Sequence, residues 1–173
     1  MNFKIRLFVP LVFLWGWMAA CSISNPEIAN HQNSDPEERI SLEINEALQF
    51  EFQKIDSAWI GNLTVFIMNE NNEKVVQSKF TSANDSSWQD FDLFVNFLKL
   101  YDIPPQNEID GWVPDSENLP RRVYSFQVFD GESTKTFSYQ DPINDLRDYW
   151  QSQNILTFVT FIENDLHWLP EDL

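Results

Sequence analysis

From Arg39 to Phe52 the sequence alternates: Ile40, Leu42 and Ile44 against Ser41 and Glu43, then Leu48, Phe50 and Phe52 against Gln49 and Glu51. Residues two apart share one face of a strand, so this pattern calls for a sheet with one face buried and the other wet. Asn45-Glu46 supplies a turn between the two runs. A helix over Glu43–Lys54 competes with this reading, because Glu, Ala, Leu and Gln favour helix.

The next segments extend the sheet. Trp59 to Met68 carries Leu63, Val65 and Ile67 on one face. Asn69-Glu70-Asn71-Asn72-Glu73 has nothing apolar to bury and reads as a turn. Lys74 to Thr81 returns as the partner strand of a hairpin. Val123 to Phe129 and Lys135 to Tyr139 form a second hairpin across Asp130-Gly131. Ile155 to Ile162, rich in β-branched residues and Phe, reads as a last strand.

Two helices are expected. Ser86/Ser87 offer an N-cap with Asp90 behind them, and Phe91, Phe94, Val95, Leu98 and Tyr101 follow at spacings of three and four, which predicts a helix over roughly Trp88 to Tyr101 ended by Pro104-Pro105. Asp141 can cap a second helix with Pro142 at its first position and Ile143, Leu146, Tyr149 and Trp150 on its apolar side. Strand–turn–strand–helix thus occurs twice. The expected fold class is α+β: an antiparallel sheet with two helices on one face, built on two β-β-α units, with chance resemblance of the two halves as the alternative.

The N-terminus specifies an address. Lys4 and Arg6 precede an apolar run from Leu7 to Trp17, and Met18-Ala19-Ala20-Cys21 follows. Basic, apolar, then small is the layout of an export signal, and the run falls short of the roughly 20 residues that span a bilayer. Met18-Ala19-Ala20-Cys21 resembles the lipobox of bacterial lipoproteins, with Met18 where Leu is usual. The resemblance implies that residues 1–20 are removed and that Cys21 is acylated, by palmitate among others. Ser22 after the cysteine implies the outer membrane of a diderm bacterium rather than inner-membrane retention. Ordinary secretory cleavage after Ser22 is the alternative. Each buried methylene contributes about 0.8 kcal/mol, and two or more chains anchor stably where one does not.

Residues 21–38 then read as the lipidated Cys and a polar tether. Its 17 residues after Cys21 would span roughly 23 Å as a flexible coil. Residues 39–173 form a single globular domain. Losing the signal takes the formal charge from −16 to −18, because residues 1–20 carry two basic and no acidic side chains. Such a surface repels phosphate backbones, so nucleic acid is not an expected partner. The only Cys is Cys21, so stability outside the cytoplasm must come from packing, for which 15 Phe, 7 Trp and 4 Tyr supply large buried areas.

The chemistry-bearing residue types are sparse. Gly61, Gly111 and Gly131 are the glycines after the signal, and no phosphate-cradling Gly-rich motif is present. His31 and His167 cannot build a multi-His zinc site. A triad would have to use His167, whose apolar neighbours favour a structural role. The pairs Asp90/Asp92 and Asp141/Asp145 read as helix starts rather than glycosidase carboxylates. The segment Asp110–Glu117 lacks the alternating acids of a calcium loop. No cofactor is implied.

Asp102 to Arg122 holds four prolines and no period, and a long loop of this kind often carries function. It contains Trp112 and the adjacent basic pair Arg121 and Arg122, which are the candidate binding residues. The competing reading tucks Trp112 into the core and pairs the arginines with local acids. The expected function is that of a non-catalytic, membrane-anchored module binding an envelope protein or a small ligand. A carboxylate-dependent envelope hydrolase and an acidic inhibitor or immunity-type protein are the alternatives.

Overall fold

The computed structural model describes residues 35–114 and 118–171. The expected signal and lipobox, Cys21 and residues 22–34 of the expected tether lie outside the described residues. The alternation at the start becomes a hairpin of β1 (Glu38–Ile44) and β2 (Leu48–Ile55), with Leu42 opposite Phe50 and Ile40 opposite Phe52. The helix alternative over these residues is therefore excluded. β3 (Ala58–Met68) and β4 (Lys74–Ser82) continue the meander, and β5 (Val123–Phe129) with β6 (Thr134–Gln140) adds a hairpin on the far side of β1. A short β7 (Trp168–Pro170) pairs with β4, giving the antiparallel order β6-β5-β1-β2-β3-β4-β7.

α1 (Phe91–Phe97) and α2 (Trp150–Asn164) follow the second and third hairpins. Both rest on one face of the sheet, because both reach the same inward ring: Phe52 lies 5.5 Å from Phe91 of α1 and 5.7 Å from Phe158 of α2. Phe158 also meets Phe126 of β5 at 6.3 Å, so α2 spans the inner strands. Ile40, Leu42, Phe50, Phe52, Tyr124, Phe126, Phe137 and Tyr139 form the buried floor. Gly61 on β3 is required by this packing. A Cβ there would sit 3.0 Å from the Trp88 ring and 3.1 Å from Phe52. The opposite face carries Ser41, Glu43, Gln49, Glu51 and Thr64 in neighbouring positions, which completes the alternation.

Three expectations are corrected. The stretch Ile155–Ile162 is the body of α2 rather than a strand. Its β-branched residues favour strand locally, but Ile155, Phe158, Val159 and Ile162 are buried at spacings of three and four, so burial of one helical face outweighs propensity. The first helix is shorter than its apolar spacing suggests. A 3₁₀ turn over Ser86–Trp88, capped by Asp85 rather than by a serine, precedes it, and it ends at Leu98 with Lys99 at φ 52°. Leu98, Leu100 and Ile103 are all buried, and the left-handed step at Lys99 turns the chain so that each reaches the core. Pro104-Pro105 thus lies beyond the helix end. The helix expected after Asp141 is a single 3₁₀ turn over Pro142–Asp145, and Asp141 makes no side-chain cap bond there.

Asp102–Arg122 is organised by one glutamine. Gln106, in a 3₁₀ turn over Gln106–Glu108, is 4% exposed. Its Oε1 accepts the Gln140 N–H at 2.7 Å and its Nε2 donates to the Gln140 carbonyl at 3.1 Å. The side-chain amide thereby pairs with the outer edge of β6 as another strand would. Tyr139 Oη donates to the Pro104 carbonyl at 2.8 Å, and Lys135 Nζ to that of Tyr101 at 3.4 Å, so the chain from Tyr101 to Gln106 is laced to β6.

Candidate functional site

Two left-handed residues set the site. Asn45 follows β1 at φ 50° and Asp141 follows β6 at φ 44°, a conformation that Asn and Asp accept better than most residues. β5 lies between β1 and β6, so the two residues flank the chain as it enters β5. Asn45 Nδ2 donates to the Arg121 carbonyl at 3.1 Å, and Asn45 Oδ1 accepts from the Val123 N–H at 2.7 Å. From the other side, Asp141 Oδ2 accepts the Arg121 N–H at 2.9 Å and Oδ1 the Arg122 N–H at 2.8 Å. The Asp141 N–H returns a bond to the Arg122 carbonyl at 2.8 Å. The arginine backbones are thus clamped while both residues remain exposed.

Arg121 and Arg122 line a cleft of about 340 Å³ with Tyr124, Asp141, Pro142, Ile143 and Leu156. Arg122 Nη1 donates to Tyr124 Oη at 3.3 Å. That bond, reinforced by the charge of Glu163, raises the Arg122 guanidinium above its ordinary value and keeps it cationic. Ile143 is 61% exposed. Ile143 and Leu156 also belong to a more open trough of about 630 Å³ along α2, bounded by Phe94, Leu146, Phe161 and Asp165. Gln153 and Thr157 line the trough too, yet Gln153 Nε2 donates to the Leu146 carbonyl at 2.6 Å and Thr157 Oγ1 to that of Gln153 at 2.8 Å.

Trp112 lies on the other side of Asp141. It lines a small crevice of about 70 Å³ with Pro120, Gln140, Asp141 and Asn144, apart from the arginine cleft. It is half-buried against the core, and its Nε1 donates to Asp145 Oδ2 at 3.0 Å, an oxygen that also accepts from Gln106 Nε2 at 3.2 Å. Trp112 therefore pins the loop, while the arginines and the exposed Ile143 form the accessible surface. Tyr124 and Leu156 went unrecognised as site residues because each sits in a segment whose pattern speaks only of core. The Asp141-Pro142 pair, a turn signal at a strand end, is what marks this corner in the sequence.

Of the remaining candidates, Asp92 and His167 have structural partners. Lys54 Nζ donates to Glu38 Oε1 at 2.7 Å and to Asp92 Oδ1 at 2.8 Å, and Trp59 Nε1 donates to that same Asp92 oxygen at 3.3 Å. The bond from Lys54 is the main cause that holds the Asp92 carboxyl below its ordinary value, and the bond to Asp92 in turn raises Lys54. Tyr101 Oη donates to Glu38 Oε2 at 2.5 Å, and burial, reinforced by that carboxylate, drives the phenol far above its usual range. This cluster fastens α1 to the β1–β2 hairpin. His167, exposed near the end of the chain, has Nδ1 2.6 Å from Asp85 Oδ2, where it closes β7 onto the 3₁₀ turn before α1. Among the described residues no group of three His, Cys, Asp or Glu side chains is placed to hold a metal ion, and no helix is long and apolar enough to cross a membrane.

No family model, no curated protein and no solved structure matches this chain.

Proposed function

We propose that this chain is an extracytoplasmic lipoprotein, anchored through acyl groups on Cys21, whose domain binds an envelope protein or a small ligand without catalysing a reaction. The anchor rests on the basic, apolar and small segments that lead to Cys21. The binding reading rests on one observation: Asn45 and Asp141 spend five hydrogen bonds on presenting Arg121 and Arg122 side by side at the mouth of an apolar-floored cleft. Two adjacent cations stand out on a chain with 27 acidic and 11 basic residues. Preorganised arginines beside apolar surface are the usual make-up of a recognition site.

The test has two arms. Intact mass of the native protein should show a chain that starts at Cys21 and carries acyl groups; an unmodified thiol would remove the anchor. Partners recovered from membranes with the wild type should be lost with the Arg121→Ala/Arg122→Ala variant. Identical partners from both proteins would remove the cleft as the binding face.

A further inference from the structure

Resting on the reading that the arginine cleft is the binding face, we infer that the cleft and the adjoining trough take a linear hydrocarbon chain ending in an anionic head. The head meets Arg121 and Arg122, and the chain runs over Ile143 and Leu156 into the trough along α2.

The acids around the cleft are turned to other donors. Both oxygens of Asp141 accept backbone N–H groups of the arginines themselves, and Asp145 Oδ2 accepts from Trp112 and Gln106. Glu163 acts on Arg122 from α2 without lining the cleft. Arg121 and Arg122 both line the opening, Arg122 with one Nη1 bond to Tyr124, and a guanidinium fork matches a carboxylate or phosphate head with two parallel bonds.

The floor fits a hydrocarbon rather than a peptide. Tyr124, Pro142, Ile143 and Leu156 give the cleft an apolar base. Of the four polar residues that line the trough, Gln153 donates to the Leu146 carbonyl and Thr157 to that of Gln153, and Thr160 and Asp165 complete the lining. Gln153 and Thr157 thereby have fewer donors to offer an incoming peptide backbone. The volumes of about 340 and 630 Å³ fall in the range of small-ligand sites. The strongly acidic surface repels a polyanion, so one charge on an apolar body suits this site better than an acidic protein face.

The test uses the acylated full-length protein in lipid nanodiscs and three 12-carbon diazirine probes: a carboxylate, a phosphate monoester and an alcohol. Photolabelled peptides are mapped by mass spectrometry. At least one anionic probe should label the segments around Ile143 and Leu156 about tenfold more than the alcohol does. The Arg121→Gln/Arg122→Gln variant should bring that labelling down to the alcohol's level. Ile143→Asp, at a largely exposed position that leaves the fold intact by circular dichroism, should abolish labelling by every probe. Preference for one anionic probe identifies the head as a fatty carboxylate or a lipid phosphate. Equal labelling by the alcohol, labelling away from the cleft, or indifference to the arginine substitutions would overturn the inference. If arginine-dependent protein partners persist while labelling fails, the hydrocarbon ligand is discarded and the binding module stands; if both fail, both are discarded.

Discussion

Asp141 and Arg122 hold each other by two bonds: Asp141 Oδ1 accepts the Arg122 N–H, and the Asp141 N–H donates to the Arg122 carbonyl, each at 2.8 Å. The pair extends the β5–β6 ladder past its last residue, using a side chain where the next strand residue would have been. Asp141→Ala removes the acceptor for two N–H groups and leaves a β-carbon at φ 44° without the local bonding that offsets it. The expected loss is about 2 kcal/mol in urea unfolding, with Asp141→Asn losing less because Asn tolerates the same backbone. Equal stability of the alanine variant and the wild type would show the clamp to be dispensable.

Gln106 satisfies both backbone groups of Gln140 and is itself buried. Gln106→Ala strands those groups under the loop, at a cost of about 1–3 kcal/mol. Hydrogen exchange at the Gln140 amide should accelerate in the variant, and unchanged protection there would contradict this account.

Phe158 is 0% exposed and touches Phe52, Phe91, Phe94 and Phe126. Phe158→Ala should cost about 3–5 kcal/mol by chemical denaturation. Gly61→Ala approaches the same cluster from the sheet side, where the added carbon meets Trp88 and Phe52, and overpacking of this kind costs about 1–3 kcal/mol. A neutral Gly61→Ala would mean that the Trp88 ring has room to withdraw.

The pH dependence has two branches. Asp92 titrates below its ordinary value in the fold, so its contribution is present above the usual carboxylate range and is lost as pH falls through the folded value. The urea midpoint should fall toward pH 3, and less so in Asp92→Asn. The effect is modest because the Asp92 side chain is 48% exposed. Tyr101 and Tyr139 titrate above their ordinary value, chiefly through burial, so their contribution is complete below about pH 10 and declines above it. In an alkaline titration read at the tyrosinate absorbance, these two should ionise only as circular dichroism is lost. Their ionisation in the folded protein would contradict the burial described.

The sheet was legible because its signal is local: period two on either side of Asn45-Glu46, across Asn69–Glu73 and around Asp130-Gly131 is carried by neighbours in sequence. The α2 segment was not, because Ile155, Thr157, Val159 and Thr160 favour strand until Phe52 and Phe126 supply a surface for one helical face. Arg121, Arg122 and Trp112 stood out as residue types, but their division between two crevices depends on the left-handed turn at Asp141, and a sequence shows no φ. Lys54, Glu38, Asp92 and Tyr101 are far apart in the chain, and nothing in their spacing announces that the Lys54 ammonium joins Glu38 to Asp92 while Tyr101 bonds Glu38.

An open sheet offers its outermost strand as a template to any neighbour, and proteins crowded on a surface meet neighbours often. Here the margin at β6 is stopped by a borrowed amide at Gln140 and guarded by the ammonium of Lys135, bound to the adjoining segment rather than to solvent. That end of β6 therefore offers no free backbone pair to a neighbouring strand.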